Sequence, residues 1–131
     1  MEIDPGDPPL EALDFLSERH LATLTTLRAD GSPQVTPVGL TYEPECRLGR
    51  VITRAGSFKA RTIARHPGQR VALCQVDGAR WLSLYGTAIV SSERRRVAGA
   101  ERRYAQRYRP PTERSDRVVI EITVDRMVGR L

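Results

Sequence analysis

Lysine is almost missing from this 131-residue chain: Lys59 stands alone among 21 basic residues, the rest being arginine. Cysteine and histidine are nearly as scarce, with two of each, and aromatic residues make up only 5%. Two cysteines, Cys46 and Cys74, are too few for a disulfide-stapled scaffold. Cys74 lies in the apolar run Val71-Ala72-Leu73-Cys74, where a thiol behaves as a small hydrophobe. His20 and His66 form no H-x-x-x-H or H-E-x-x-H spacing, so no metal set is expected. There is no Walker loop and no G-x-G-x-x-G following a strand. No apolar run approaches the roughly 20 residues of a membrane helix. The start, Met1-Glu2-Ile3-Asp4, is acidic and lacks the apolar core of a leader peptide. The expectation is a cytoplasmic protein that does not enter a membrane. No nucleophile–base pair can be named, so no catalytic residue is assigned and any redox chemistry would come from a cofactor.

Acidic residues are absent from one long stretch. Between Cys46 and Val76 the chain carries Arg47, Arg50, Arg54, Lys59, Arg61, Arg65 and Arg70 but no carboxylate. Its centre reads Val51-Ile52-Thr53-Arg54-Ala55-Gly56-Ser57-Phe58-Lys59-Ala60-Arg61, a strand, a glycine turn and a helix that starts among cations. Cations in a first helical turn face the positive end of the dipole. The arrangement makes more sense if an anion is held there by free backbone N–H groups, the Ser57 hydroxyl and the cations. A solvated basic face is the plainer alternative. The coincidence of Gly56, Ser57, Arg54, Lys59 and a helix start favours a phosphate cradle, with Arg47 and Arg70 as surface charge. The formal net charge of +5 agrees with an anionic partner. A nucleic acid is disfavoured, because no recognition motif is present and few aromatics are available to stack on bases.

The length fits one domain spanning residues 1–131, with residues 1–8 expected to be loose. Leu10, Leu13 and Leu16 predict a short helix over Pro9–Arg19. Strands follow at Leu21–Leu27, Pro33–Tyr42, Arg50–Thr53, Arg70–Val76, Arg80–Val90 and Arg117–Val128, with Asp30-Gly31 and Asp77-Gly78-Ala79 as hairpin turns. A second helix is predicted over Ser57–Arg65, and a third from a Ser91 or Ser92 cap to about Tyr108. Six strands with hairpin connections and three helices give a β-rich α+β domain, a mostly antiparallel sheet curled into a barrel. Pro37 and Gly39 interrupt the second strand, either as a simple edge or because a ligand approaches its backbone. On the long fifth strand, Leu82, Leu84, Ala88 and Val90 share a core face. Trp81, Ser83, Tyr85 and Thr87 share the other, suited to an interface or a ligand platform.

Three segments are more particular: Phe15-Leu16-Ser17-Glu18-Arg19-His20-Leu21, Cys74-Gln75-Val76-Asp77-Gly78-Ala79-Arg80-Trp81-Leu82-Ser83-Leu84 and Arg103-Tyr104-Ala105-Gln106-Arg107-Tyr108-Arg109. With the hairpin at Leu21–Pro33 and the Val51–Lys59 block, they resemble the split β-barrel flavin and deazaflavin oxidoreductases, the pyridoxamine-phosphate-oxidase-like group. Within it the chain looks like the branch that reduces biliverdin with coenzyme F420. The resemblance implies a six-stranded FMN-binding-type split barrel, a homodimer and a cofactor at the subunit interface. It implies a small conjugated substrate, most simply a tetrapyrrole. The cofactor phosphate would lie by Arg54, Ser57, Lys59 and Ala60. Its ring would lie along Thr36, Pro37, Val38, Gly39, Ile52 and Thr53, with Gln75 and Trp81 approaching from a neighbouring hairpin. FMN is the alternative cofactor, and a non-catalytic cofactor- or haem-binding protein the alternative role. Arg61-Thr62-Ile63 departs from the Asn-Leu that many relatives carry near there.

Overall fold

The computed structural model describes residues 1–131. Its strands are β1 (Glu2–Ile3), β2 (Ala22–Leu27), β3 (Pro33–Val38), β4 (Thr41–Glu43), β5 (Leu48–Arg54), β6 (Gln69–Asp77), β7 (Arg80–Ser91) and β8 (Arg117–Arg130). The helices are α1 (Leu10–Ser17), α2 (Phe58–Arg65) and α3 (Arg94–Arg107). The sheet runs β3-β2-β6-β7-β8-β5-β4, with β1 added to β8, and every pairing is antiparallel. The α+β, β-rich split barrel is thus present, with eight strands rather than six. The two extra strands have separate causes. Residues 1–8 are not loose throughout, because Ile3 buries its side chain and pairs Met127. The predicted strand Pro33–Tyr42 breaks at Gly39-Leu40, and its halves β3 and β4 form the two ends of the sheet order.

Period-two alternation sets most of the sheet. In β7, Leu82, Leu84 and Ala88 turn inward, and in β8, Ile120, Ile122 and Val124 do so. These residues join Leu24, Leu73, Phe15 and Met127 in one core. Hairpins form where Gly31 and Gly78 take positive φ angles of 84° and 62°. In α1 the buried face is Ala12, Phe15 and Leu16, while Leu10 is 72% exposed at the helix start. The apolar spacing at Leu10, Leu13 and Leu16 therefore misplaced the stripe. Neither Ser91 nor Ser92 is the N-cap of α3. Ser91 ends β7, and Glu93 occupies the cap position without a side-chain bond.

One polar network ties the helices to the Gly39-Leu40 corner. Arg107 is 7% exposed and has no carboxylate partner. Its Nε donates to the Glu18 carbonyl at 2.8 Å, its Nη1 to the Leu40 carbonyl, and its Nη2 to Gln75 Oε1 at 2.6 Å. Gln75 Nε2 donates to the Phe15 carbonyl at 2.8 Å. Tyr108 donates to the His20 carbonyl at 2.6 Å and accepts from the Leu40 N–H at 3.1 Å. A second joint lies on the surface, where Arg80 bridges Glu18 and Asp77 and His20 contacts Glu18.

Arg107→Met should destabilise the fold by about 3–5 kcal/mol in urea titration, because two buried acceptors and one partly buried one lose their donor together. Loss of less than about 1 kcal/mol would contradict the clamp. Glu18 is held down to about 2, first by its bonds from Arg80 and then by His20. A carboxylate depressed in this way adds stability above its unfolded value, roughly 4.3, and loses it as pH falls toward 2. Glu18→Gln should therefore flatten the decline of the urea midpoint between about pH 4.5 and pH 2. An unchanged slope would remove Glu18 from the acid response.

Candidate functional site

The start of α2 forms as its sequence suggests. Ser57 is the N-cap, its Oγ accepting from Ala60 N at 3.3 Å and from the Thr53 hydroxyl at 3.1 Å. No acidic residue stands in the first turn. Lys59 has no ion-pair partner, and burial, followed by the nearby positive charge of Arg54, pushes its amine below the usual lysine range. A cation that is both desolvated and repelled by a like charge is a strained ground state, and an incoming anion relieves both effects.

Beside Lys59 lies a cavity of about 280 Å³ lined by Pro37, Val38, Gly39, Ile52, Tyr104, Arg109, Pro111, Thr112 and Arg117. It joins the interrupted end of β3, the middle of β5, the start of α2 and the chain that leaves α3. Pro37 lies on an edge strand, as a residue without an N–H requires, and also lines the cavity. Gly39 is needed by close approach: a Cβ there would lie 2.7 Å from Tyr104 Cε2 and 3.2 Å from Tyr108 Cε2. The two tyrosines pack with ring centroids 4.9 Å apart. The wall is thus bare backbone and small apolar surface on one side, with cations and an aromatic ring on the other. Such a cavity suits a flat, partly apolar group carrying negative charge.

Five of the expected residues meet here: Pro37, Val38, Gly39, Ile52 and Lys59. Thr53, Ser57 and Ala60 adjoin them through the cap. Arg54 is exposed at the end of β5, outside the lining. Thr36 turns inward from β3, and its Oγ1 is buried without a hydrogen-bond partner. Gln75 does not line the cavity within one chain. Strand alternation buries it with Val71 and Leu73, and its amide is fully engaged by Phe15 and Arg107. It belongs to the buried network around Arg107. Trp81 sits half-buried near the start of β7, opposite Val76 and Arg130, and is not among the residues lining the cavity within one chain. Tyr104, Arg109, Thr112 and Arg117 were not assigned from sequence. The available signal was the i, i+4 pair Tyr104 and Tyr108 on one face of α3. Arg117 is already held by Glu101 at 3.0 Å and the Thr112 carbonyl at 2.7 Å, whereas Arg109 makes no bond or ion pair. Glu18, His20 and Asp77 lie close enough to share a cation, but the Arg80 guanidinium already fills that role.

A split barrel with a cation-rich cleft beside bare strand backbone defines a class of domain able to hold a flat, anionic small molecule. The model of the pyridoxamine 5'-phosphate oxidase family matches residues 9–129, and the chain belongs to that family. It is 57% identical over 119 residues to a protein of Mycobacterium tuberculosis named F420H(2)-dependent biliverdin reductase, covering 91% of this chain and 85% of that one. Among solved structures, a conserved hypothetical protein from Mycobacterium tuberculosis superposes with a TM-score of 0.78 at 24% identity, covering 94% of this chain and 84% of the other. A protein named F420 reductase gives 0.71 at 23%, covering 88% and 94%. At these identities the two structures attest the fold alone.

Lys59→Met keeps the side-chain length and removes a charge that burial and Arg54 oppose. Its expected effect is a melting temperature raised by about 1–4 °C. A fall in melting temperature would show that Lys59 is stabilised by a partner.

Proposed function

We propose that this chain is a deazaflavin-dependent oxidoreductase that uses reduced coenzyme F420 to reduce biliverdin or a closely related tetrapyrrole. The observation that carries the reading is Lys59, a partly buried cation without a carboxylate partner, set at a helix start beside the bare backbone of Pro37–Gly39. The identity to the mycobacterial reductase supports the same choice of cofactor and acceptor. Lys59, the Ser57 hydroxyl and the first-turn N–H groups would hold the phosphate, with Arg54 adding long-range attraction. Thr36–Gly39, Ile52 and Thr53 would flank the ring system, and Tyr104 and Arg109 would close its other side. When bound, the reduced deazaflavin supplies a hydride to the conjugated acceptor. The protein's part is to orient the reactants, satisfy anionic tails and keep water out.

The reading includes a homodimer. Two rows of residues cross the outer sheet face, Val35–Thr25–Ala72–Tyr85 and Pro37–Thr23–Cys74–Ser83, without a single charge. Val35 is 58% and Val76 62% exposed on this side of the sheet, apolar surface that a second copy would cover. A second copy covering this face would bring Trp81 of its hairpin toward the cavity, which is small for a whole cofactor by itself. The free thiols Cys46 and Cys74 suit the reducing cytoplasm. No helix is long and apolar enough to cross a membrane.

Anaerobic biliverdin reduction with F420H2, NADPH and reduced FMN side by side tests the assignment. Turnover with F420H2 alone is expected, and turnover only with NADPH or flavin would overturn it. Lys59→Met should weaken F420 binding about ten- to a hundredfold, the loss of one charge-assisted contact of about 1–3 kcal/mol. Ala72→Arg should convert a dimer into a 14.7 kDa monomer in light scattering and lower F420 affinity with it. A monomeric parent would remove the interface from the account.

A further inference from the structure

The largest hollow in the molecule is not the cavity at Lys59. It lies along another face of α3, encloses about 590 Å³, and is lined by Arg50, Arg95, Arg96, Gly99, Arg102, Arg103 and Gln106, with Glu93 and Glu121. None of these residues is apolar. On α3, positions 95, 99, 102, 103 and 106 recur at helical spacing, so one stripe of the helix forms a wall. Gly99 sits mid-stripe and leaves room between the guanidiniums, although glycine is a weaker helix former than alanine.

The carboxylates are not spread evenly over these cations. Glu93 and Glu121 both turn to Arg96, at 3.3 and 3.6 Å. Glu43, outside the lining, takes Arg50 and Arg103 at 2.9 Å each and fixes their positions. Arg95 and Arg102 have no ion pair. Arg50 Nη1 is buried without any acceptor. The first turn of α3 holds Arg94, Arg95 and Arg96 against the positive end of its own dipole, with no acidic residue within it. Prefixed guanidiniums and two free ones ask for anionic oxygens in the same groove.

We infer that this groove is a second anion site, separate from the cofactor cradle, that takes a compact polyanion bearing several phosphate or carboxylate groups. Arg95 and Arg102 make the primary contacts, Arg50 and Arg103 form the preset floor, and Glu93 and Glu121 limit where negative charge can lie. The absence of any aromatic or apolar residue in the wall argues for a small hydrophilic ligand over single-stranded nucleic acid, whose bases need stacking surfaces.

The test is calorimetric titration with tripolyphosphate and, separately, citrate, at ionic strength held constant with chloride. It is run on the full chain and on Lys59→Met, so that the cradle at Lys59 does not contribute. Saturable one-site binding that survives in Lys59→Met is expected from at least one anion. Tripolyphosphate alone would mark a phosphate ligand and citrate alone a carboxylate ligand. Arg95→Ala with Arg102→Ala should weaken binding by about tenfold or more, as expected for two lost charge-assisted contacts. Arg19→Ala with Arg65→Ala removes the same charge elsewhere and should change it less than about twofold, leaving only screened long-range attraction. Equal loss in both double variants, or binding by neither anion, would overturn the site. So would binding of an oligonucleotide but of neither small anion. Circular dichroism of each variant separates loss of the site from loss of the fold.

Discussion

Arg107 holds the fold together at the point where the fold builds its cavity. Its guanidinium reaches the end of α1, the Leu40 carbonyl and Gln75, so three separate stretches of chain meet on one buried cation. All three acceptors are neutral. Burial pulls Arg107 below the usual arginine range, with Tyr108 and then Glu18 opposing that pull. Such a charge persists only where every neighbouring carbonyl is aimed at it. The consequence is a fixed corner at Gly39-Leu40. That corner ends β3, starts β4 and presents Val38 and Gly39 to the cavity, with Tyr104 pressed against the glycine from the same helix that carries Arg107.

Charge is distributed with the same economy. Around the barrel, arginines meet carboxylates: Arg70 meets Asp125, Arg126 meets Glu2 and Arg80 meets Glu18 and Asp77. These exposed pairs contribute modestly to stability. At the start of α2 the pattern stops, and Lys59 is left in a partly buried position with only Arg54 for company. Across the cavity Arg109 is also unpaired. The fold accepts a local cost there, which is the expected mark of a site that an anion completes.

Much of this was legible in the chain because it is local. The turns at Gly31 and Gly78, the helix start at Ser57 and the inward phase of Leu82 and Leu84 follow from neighbouring residues. What was not legible depends on distant contacts. Two residues of β1 carry no period of their own and acquire a strand only by pairing β8. The break of the second strand needs Tyr104 and Tyr108, more than sixty residues away, to be intelligible. Gln75 looked like a ligand-facing polar residue, and only the position of Arg107 shows why an amide is buried there. Arg109 and Thr112 reach the cavity because the chain turns back after α3, which no spacing in the sequence announces. The family resemblance supplied the cofactor class, and the structure supplied the reason that Lys59 is the residue to test.

Because Lys59 is the only lysine, its amine can be observed without interference. Under the proposed function this amine is the anion anchor of the cofactor. Labelling the protein with isotopic lysine and following the single side-chain signal by NMR during titration with coenzyme F420 addresses it directly. The signal is expected to shift saturably, and its titration to move to higher pH in the complex, as a new negative partner requires. A signal that neither shifts nor changes its titration at saturating F420 would contradict it.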